Sequence, residues 1–534
     1  MRDEIKIRIT IMLRQRGAFP ALAWLALCLA GFPVTAADSF PLHATNTTAR
    51  VVEVDGTGLQ SAFLADDARV AAAFDRGLFA LTRTTGVADA WRSLVRTNDT
   101  VGIKVFSLPG QLSGTRPAVV AAMVRGVEMK KHFWKKEKNG SVTTPKGFSA
   151  GGIHAGIKKK KKKYDVALIY SKTPCVAAGT FTTNRAKAWP VLYSMKAIHA
   201  ARHHAILGTS GNANCLNGPI GKRAVDEITW EAAKQLDILP QELLIAQTGI
   251  IGVPFPITCV KRAIPKLVKR LSDTGGHGAA KGILTTDLSS KEIALSVELG
   301  GKKVTIAACA KGAGMVHPNM ATMLCFITTD CAITKSLLRR AVRHAADDTF
   351  NQMAIDNDMS TNDMVLCLAN GEAGNTPIHN IGKDYWMFRE TLEEVMRYIA
   401  HEMVVDGEGV THVCRLRVSG AKKPTDAERA ARQIANSMLF KTMLAGSNPN
   451  WGRIAAAVGA SGVDFNPSNL SIWFGDAQVV SQGRLRVLNL PKARRILQKK
   501  EYTIDVVIGK GRGRADFITS DLTTKYVLIN AAYS

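Results

Sequence analysis

From residue 165 to the end, short apolar runs alternate with longer amphipathic stretches, and that alternation confines the chain to layers of sheet and helix packed face to face. Residues 166–170 form the continuous apolar run that a fully buried strand needs. Residues 191–201 and 222–236 carry helical spacing. Residues 304–308 look like a strand leading into the turn Lys311-Gly-Ala-Gly314, and residues 323–328 form another apolar strand. Thr334 is placed to cap a helix whose apolar face holds Leu338, Ala341, Val342 and Ala345. Residues 391–403 are helical and stop near Gly407. His412, Cys414, Leu416 and Val418 then alternate with Val413, Arg415 and Arg417, as along a half-buried strand. No fixed-period repeat is present. The expected class is α/β or α+β, with layered sheets and helices.

At 534 residues the chain is too long for one ordinary domain. Its first piece, 1–128, opens with Arg14 and Arg16, an apolar run over 18–32 and the small-residue sequence Val34-Thr35-Ala36. Those are the features of a secretory signal peptide, and the run is too short for a membrane span. A helical spacing over 65–79 (Val70, Ala73, Phe74, Leu78) and a short strand at 101–105 follow, with no residues that suggest a chemistry. Residues 129–163 are lysine-rich and are expected to be a basic linker into the next region. Lys plus Arg exceed Asp plus Glu by 70 − 44 = 26, a balance that suits nucleic acid or an anionic membrane. Much of the excess is local, in Lys130, Lys131, Lys135, Lys136, Lys138 and 158–163, where the ordinary reading is a solvated loop. The aromatic residues are not interleaved with these lysines, so stacking platforms for single strands have no support. The nine cysteines form no CxxC pair and are odd in number, the pattern of reduced, buried thiols rather than of disulfides or a zinc site. These features lead us to expect a cytoplasmic protein with no metal, nucleic-acid or membrane partner, against the export-like start.

The segment Lys311-Gly-Ala-Gly-Met-Val-His-Pro-Asn-Met-Ala321-Thr322-Met-Leu carries the chemistry. Its glycines match neither GxxxxGK[ST] nor GxGxxG, so it is no phosphate loop. Its plainest reading is a tight turn before a strand. A second reading starts from Thr322, which has a small residue before it, an apolar strand after it and a glycine- and proline-bearing turn upstream. Such a turn holds a peptide bond exposed and strained. A threonine freed as a first residue gains an adjacent α-amine of pKa about 8, and the amine accepts the hydroxyl proton, which makes a compact nucleophile and base.

The same stretch resembles the cleavage motif of the ornithine acetyltransferase family, the bifunctional glutamate N-acetyltransferases of arginine biosynthesis. Nine further pieces of that family occur in order. They are Thr144-Pro-Lys-Gly-Phe148, Phe181-Thr-Thr-Asn-Arg185, Ser210-Gly-Asn-Ala-Asn214, Gln247-Thr-Gly-Ile250, Leu284-Thr-Thr-Asp287, Ser360-Thr-Asn-Asp363, Asp406-Gly-Glu-Gly409, Asn448-Pro-Asn-Trp-Gly-Arg453 and Ile529-Asn-Ala-Ala-Tyr-Ser534. The resemblance covers about residue 140 to the end. It implies a fold of the self-cleaving N-terminal-threonine nucleophile type with a smaller C-terminal α/β domain. It implies cleavage between Ala321 and Thr322, giving an α chain (164–321) and a β chain (322–534, with a C-terminal subdomain from about 390). Thr322 is then the nucleophile, and Thr248 and Gly249 match the oxyanion-hole pair. Thr285 (or its neighbour Thr286), Lys311, Thr322, Glu408, Asn530 and Ser534 match substrate contacts. Thr322 would take acetyl from N-acetylornithine and pass it to glutamate, with acetyl-CoA as a second donor in part of the family. No bound cofactor is implied, and two α and two β chains would assemble.

Some positions depart from the family pattern. Ser534 stands one place short of the usual last residue, Asn448 replaces the commoner aspartate, Asn357 replaces the commoner glycine, and six lysines replace a milder loop. Two other classes compete with the acetyltransferase. A self-cleaving amidase or aminopeptidase would differ only in letting water intercept the acyl-enzyme. A nucleic-acid or membrane-surface binder would act through 158–163.

Overall fold

The structure is a computed structural model that describes residues 133–159, 163–315 and 323–532, together with the backbone of six short strands between residues 6 and 104. The chain divides into two compact units, Met1–His132 and Phe133–Ser534. In the first, Lys6–Met12 pairs antiparallel with both Trp24–Cys28 and Arg50–Asp55, and Gly102–Lys104 joins Trp24–Cys28 in parallel. Part of the export-like run is therefore a strand, and the strand expected at 101–105 is present. The helix expected over 65–79 lies outside the described residues, except for Ala65 in the two-residue strand Leu64–Ala65.

The second unit is organised by one nine-stranded sheet. Its strands are β1 (Trp134–Lys136), β2 (Phe148–Ile153), β3 (Val166–Phe181), β4 (His203–Asn212), β5 (Leu243–Ile250), β6 (Lys291–Leu299), β7 (Lys302–Lys311), β8 (Leu324–Thr329) and β9 (Met364–Ala369), in the order β5-β4-β3-β9-β8-β7-β6-β1 with β2 also on β3. The long strand β3 folds this sheet into two leaves. Residues near its start pair with β4, and those near its end pair with β9. The leaves face each other, because Ile169, Ile206, Leu244 and Ala246 of one share a single buried cluster with Leu324, Phe326, Met364 and Leu366 of the other.

Strand periodicity sends the intervening residues outward. Leu168, Leu207 and Ile245 pack beneath α1 (Gly218–Leu236) and α2 (Ile257–Val268). Ile306, Cys325, Ile327 and Val365 pack beneath α3 (Lys335–Asp347) and α4 (Lys383–Val405). Both faces of each leaf are apolar, which is why the strands are unbroken apolar runs rather than alternating ones. The result is four layers, helix–sheet–sheet–helix.

A smaller module follows. Its strands β10 (Val413–Ala421), β11 (Ser471–Phe474), β12 (Ala477–Ser481), β13 (Glu501–Val507) and β14 (Gly513–Ser520) lie in the order β14-β10-β13-β11-β12. The short strands Met353–Ala354 and Arg484–Leu485 complete the two edges. Cys414, Leu416 and Val418 face a core with α5 (Pro424–Ala435) and α6 (Trp451–Ala460), while Arg415 and Arg417 point to solvent.

Three expectations need correction. Residues 133–153 are less of a linker than their lysines suggest. Trp134 pairs with Val297, Val142 and Phe148 are buried, and the described lysines are exposed. The C-terminal module begins at β10 and not near 390, because the helix that starts at Lys383 spends its apolar face on the β6–β8 leaf. Thr334 stands at the N-cap of α3 without capping a backbone N–H; its hydroxyl lies 3.3 Å from Ser336 Oγ. The eight described cysteines are all free and seven are buried, as their scatter suggests.

Phe326 is 1% exposed between the leaves. Phe326→Ala should lower the unfolding free energy by about 3–5 kcal/mol. The exposed Arg415→Ala should change it by less than about 0.5 kcal/mol. Chemical denaturation followed by far-ultraviolet circular dichroism measures both.

Candidate active site

β4 and β5 are parallel neighbours that end together, with Gly211 opposite Gly249. Gly249 has φ +134°, and an added Cβ would run into the backbone of Gly211 and Asn212, so only glycine serves there. The loops beyond are knitted together. Ala213 N–H donates to Ile250 O at 2.9 Å, and Asn212 Nδ2 donates to the carbonyls of Val253 and Pro254 at 3.2 and 3.1 Å. Thr248 is buried at the same strand end. Its Oγ1 is 3.5 Å from the ammonium of Lys311, the last residue of β7. Lys311 is 4% exposed. Burial lowers its pKa from the ordinary lysine value, and Asp287, Asp363 and Glu408 pull the other way.

The segment that leaves β7 is held from two sides. On one side, Gly312 N–H donates to Asp287 Oδ1 at 2.8 Å, and Asp287 Oδ2 accepts Thr285 N–H at 2.9 Å. Lys291 Nζ donates to Asp287 Oδ1 at 2.5 Å and to Asp406, which also accepts Leu288 N–H at 3.0 Å. Burial opposes the charge on Asp287, but the ammoniums of Lys311 and Lys291 outweigh it and hold its carboxyl at about 2, below the usual 3.8. On the other side, Glu408 N–H donates to Ala313 O at 2.9 Å. The Glu408 carboxylate lies across Gly314, where an added Cβ would be 2.6 Å from it. Asn530 Nδ2, on helix α7 (Thr524–Ala531), donates to Glu408 Oε2 at 2.8 Å. Gly409, at φ +73°, permits this approach, since a Cβ there would be 2.6 Å from Tyr526 N.

The far end of the junction is held as well. Met323 N–H donates to Asp363 Oδ1 at 2.9 Å. The turn that presents Asp363 is clamped by two other motifs. Asn362 Nδ2 donates to Ala213 O and Gln247 O at 2.7 and 2.8 Å, next to the Thr248–Gly249 turn. Thr182 N–H donates to Asp363 O at 2.9 Å and its hydroxyl donates to Ser360 O at 2.8 Å.

Thr248, Gly249, Thr285, Lys311, Glu408 and Asn530 thus gather round one short stretch of chain, 311–314. Ala321, Thr322 and Ser534 lie outside the described residues. Asp287, Lys291, Asp406 and Asp363 were not singled out individually from the sequence, although three of them sit inside quoted motifs. The sequence signal for Lys291 was weak, a lysine four residues after an aspartate. Lys158 was assigned to a solvated run, but the structure half-buries it. Its N–H donates to Asp165 Oδ2 at 3.1 Å, its side chain lies beside Gly211, and burial pulls its pKa down to about 8.

Two outcomes test this geometry. Gly249→Ala should destabilise the fold, because a Cβ there would strike the backbone of Gly211 and Asn212. Asp287→Asn should cost about 3–5 kcal/mol of stability at neutral pH, because it leaves buried cations underpaired. Asp287 has a folded pKa below its ordinary value, so its contribution is full above about pH 4 and fades as pH falls towards 2. The variant should therefore lose the acid-labile limb of the stability curve, measured by denaturation across pH 2–7.

The relatives match about three quarters of the chain and nearly all of their own length. An arginine biosynthesis bifunctional protein ArgJ from Symbiobacterium thermophilum is 43% identical over 395 residues, covering 74% of this chain and 98% of that protein. One of the same name from Dehalococcoides mccartyi is 42% identical over 397 residues, with the same shares covered. The crystal structure of an ornithine acetyltransferase from Mycobacterium tuberculosis, complexed with ornithine, is 32% identical; the match covers 35% of this chain and 98% of that one, with a TM-score of 0.32. A sequence profile described as the ArgJ family matches residues 149–534. With most of its length matched by that profile and by relatives above 40% identity, the chain belongs to the ArgJ family.

Proposed function

We propose that this chain is an acetyltransferase of arginine biosynthesis that cleaves itself before Thr322 and carries acetyl on the Thr322 hydroxyl between N-acetylornithine and glutamate. The observation that supports it most is the buried Lys311 ammonium 3.5 Å from Thr248 Oγ1, at the mouth of the segment that leads to Thr322. Acyl transfer builds negative charge on a former carbonyl oxygen, and a fixed cation and hydroxyl beside a glycine turn suit that charge. Thr248 and Gly249 supply the oxyanion contacts. Glu408, aligned by Asn530, suits the ammonium of an amino-acid substrate, and Lys311 suits its carboxylate.

The reaction runs in two halves. Thr322 Oγ adds to the acetyl carbonyl of N-acetylornithine while its own α-amine takes the hydroxyl proton. Ornithine leaves with that proton on its nitrogen. The amine of glutamate then attacks acetyl-Thr322 and restores the hydroxyl. The relatives are named bifunctional proteins, which supports acetyl-CoA as a second donor. Cytoplasmic location and an assembly of two α and two β chains, divided at Ala321–Thr322, complete the reading.

Intact-mass analysis should show two fragments, the smaller beginning at Thr322, and Thr322→Ala should stay uncut and inactive. A fully active single chain would exclude the mechanism. Thr248→Ala should lower kcat by roughly 10²–10³-fold with little change in KM for N-acetylornithine; a change confined to KM would reassign Thr248 to substrate binding. Mixing acetylated enzyme with and without glutamate separates a transferase from a hydrolase. Only the transferase holds its acetyl group until the amine arrives.

A further inference from the structure

In the proposed reaction one site serves two amino acids of opposite side-chain charge. Glutamate brings a carboxylate where ornithine brings an ammonium, and Lys311 and Glu408 suit only the groups that the two share. A site tells such ligands apart by a charge placed where they differ. The loop before β3 supplies one. Asp165 is 0% exposed. Its Oδ1 accepts Ala155 N–H at 2.5 Å, its Oδ2 accepts Gly156 N–H at 3.0 Å and Lys158 N–H at 3.1 Å, and His154 Nδ1 lies 3.2 Å from Oδ2. The Asp165 carbonyl accepts Ser210 N–H at 2.9 Å, which ties this mount to the end of β4. There the loop is packed hard against Gly211. A Cβ at Gly211 would be 2.9 Å from Ile157 Cγ2 and 3.1 Å from Lys158 Cγ. Gly211 stands opposite Gly249, so the stem of Lys158 crosses the strand end next to the Thr248–Gly249 turn. The Lys158 ammonium donates to Tyr164 O at 2.7 Å, and its other two N–H groups find no partner among the described residues. It is close enough to Asp287 and Lys311 to feel their charges, beside those of Asp165 and Lys163. Lys291 has no such freedom, because Asp287 and Asp406 share it.

We infer that Lys158 binds the side-chain carboxylate of the acceptor and so selects a dicarboxylic amino acid. This rests on the reading of the chain as an acetyltransferase to glutamate. The lysine is half-buried, and partial removal from water makes a lysine–carboxylate pair stronger than it is in open solvent. A compact ammonium on a flexible stem can bond that carboxylate and swing clear of the cationic side chain of ornithine. The backbone beneath it stays fixed, because three N–H groups of the loop are spent on Asp165. Burial lowers the pKa of Lys158 to about 8; Asp165 and Asp287 oppose the shift, and Lys163 and Lys311 add to it. The subsite is therefore charged at neutral pH and loses its charge as pH rises through about 8.

The test measures kcat/KM of the full-length enzyme with N-acetylornithine as donor and either glutamate or glutamine as acceptor. Glutamine has the shape of glutamate without the side-chain charge. The ratio of the two values reads that charge alone, because every other contact is common to both. Wild type should prefer glutamate. Lys158→Met should reduce the preference by roughly 10–100-fold, the worth of one hydrogen bond to a charged group. Lys158→Glu should lower it further, and Lys158→Arg should keep a preference for glutamate. Because kcat/KM reports the free enzyme, the wild-type ratio should fall between about pH 7 and 10, whereas that of Lys158→Arg stays level. Lys158→Met with the wild-type ratio would overturn the subsite. So would a loss of thermal stability with no change in ratio, which would leave Lys158 as a counterion of Asp165. If Lys158→Met fails to fold, the pH dependence of wild type against Lys158→Arg decides alone. A wild-type enzyme that uses glutamate and glutamine equally would sink only the subsite, whereas one that acetylates neither would sink the acetyltransferase reading with it.

Discussion

The buried ammonium of Lys291, shared between Asp287 and Asp406, is the contact on which the site depends. All three side chains are buried, where an unpaired charge is costly. Together they join three stretches distant in sequence. Asp287 brings the loop with Thr285 and the N–H of Gly312; Asp406 brings the turn with Glu408. The exit of β7 is pinned to both. Breaking one partner would release the others, so the network supports position more than net stability.

The same logic explains motifs that carry no chemistry themselves. Thr182 and Asn184 exist to hold the turn at 359–363: Asn184 Nδ2 donates to Met359 O at 3.0 Å. Asn214 Nδ2 donates to Gln247 Oε1 at 2.9 Å behind the Thr248–Gly249 turn. Lys146 N–H donates to Asp330 Oδ2 at 3.0 Å, and Asn370 Nδ2 donates to Lys146 O at 2.9 Å, which stitches the turn before β2 onto the ends of β8 and β9. Short polar side chains that bond to backbone fix loops where no ladder does.

Strand and helix positions were legible wherever burial is two-sided or strictly periodic, as at 166–170, in α3 and along β10. The candidate site residues rest on motif resemblance, since nothing in their spacing announces that Thr248 and Lys311 meet. The start of α4 differs from the expected one: the helix begins at Lys383 rather than 391, and Tyr385 and Phe388 of its first turns are buried. Composition misled at 133–159. A lysine count does not show that Trp134 is paired into the sheet and Phe148 buried, nor that Lys158 turns in beside Gly211. Local charge reports solvation of side-chain tips, and backbone pairing reports the fold.

Strands β7 and β8 are antiparallel neighbours, with Lys311 opposite Leu324, and the proposed cut lies in the loop between them. Severing that loop removes no ladder bond. It leaves two polypeptides whose strands are shuffled into one sheet, because β8 and β9 of the downstream piece sit between β7 and β3 of the upstream piece. The upstream piece keeps the β5-β4-β3-β2 leaf and the downstream piece keeps the C-terminal module, but neither piece alone keeps the leaf that β7, β8 and β9 build together. The nicked molecule is therefore an interlocked pair held by the cooperativity of its parent fold. Once separated, the two pieces would have to find each other again as a bimolecular folding reaction, and the single-chain route that first assembled them would no longer be open.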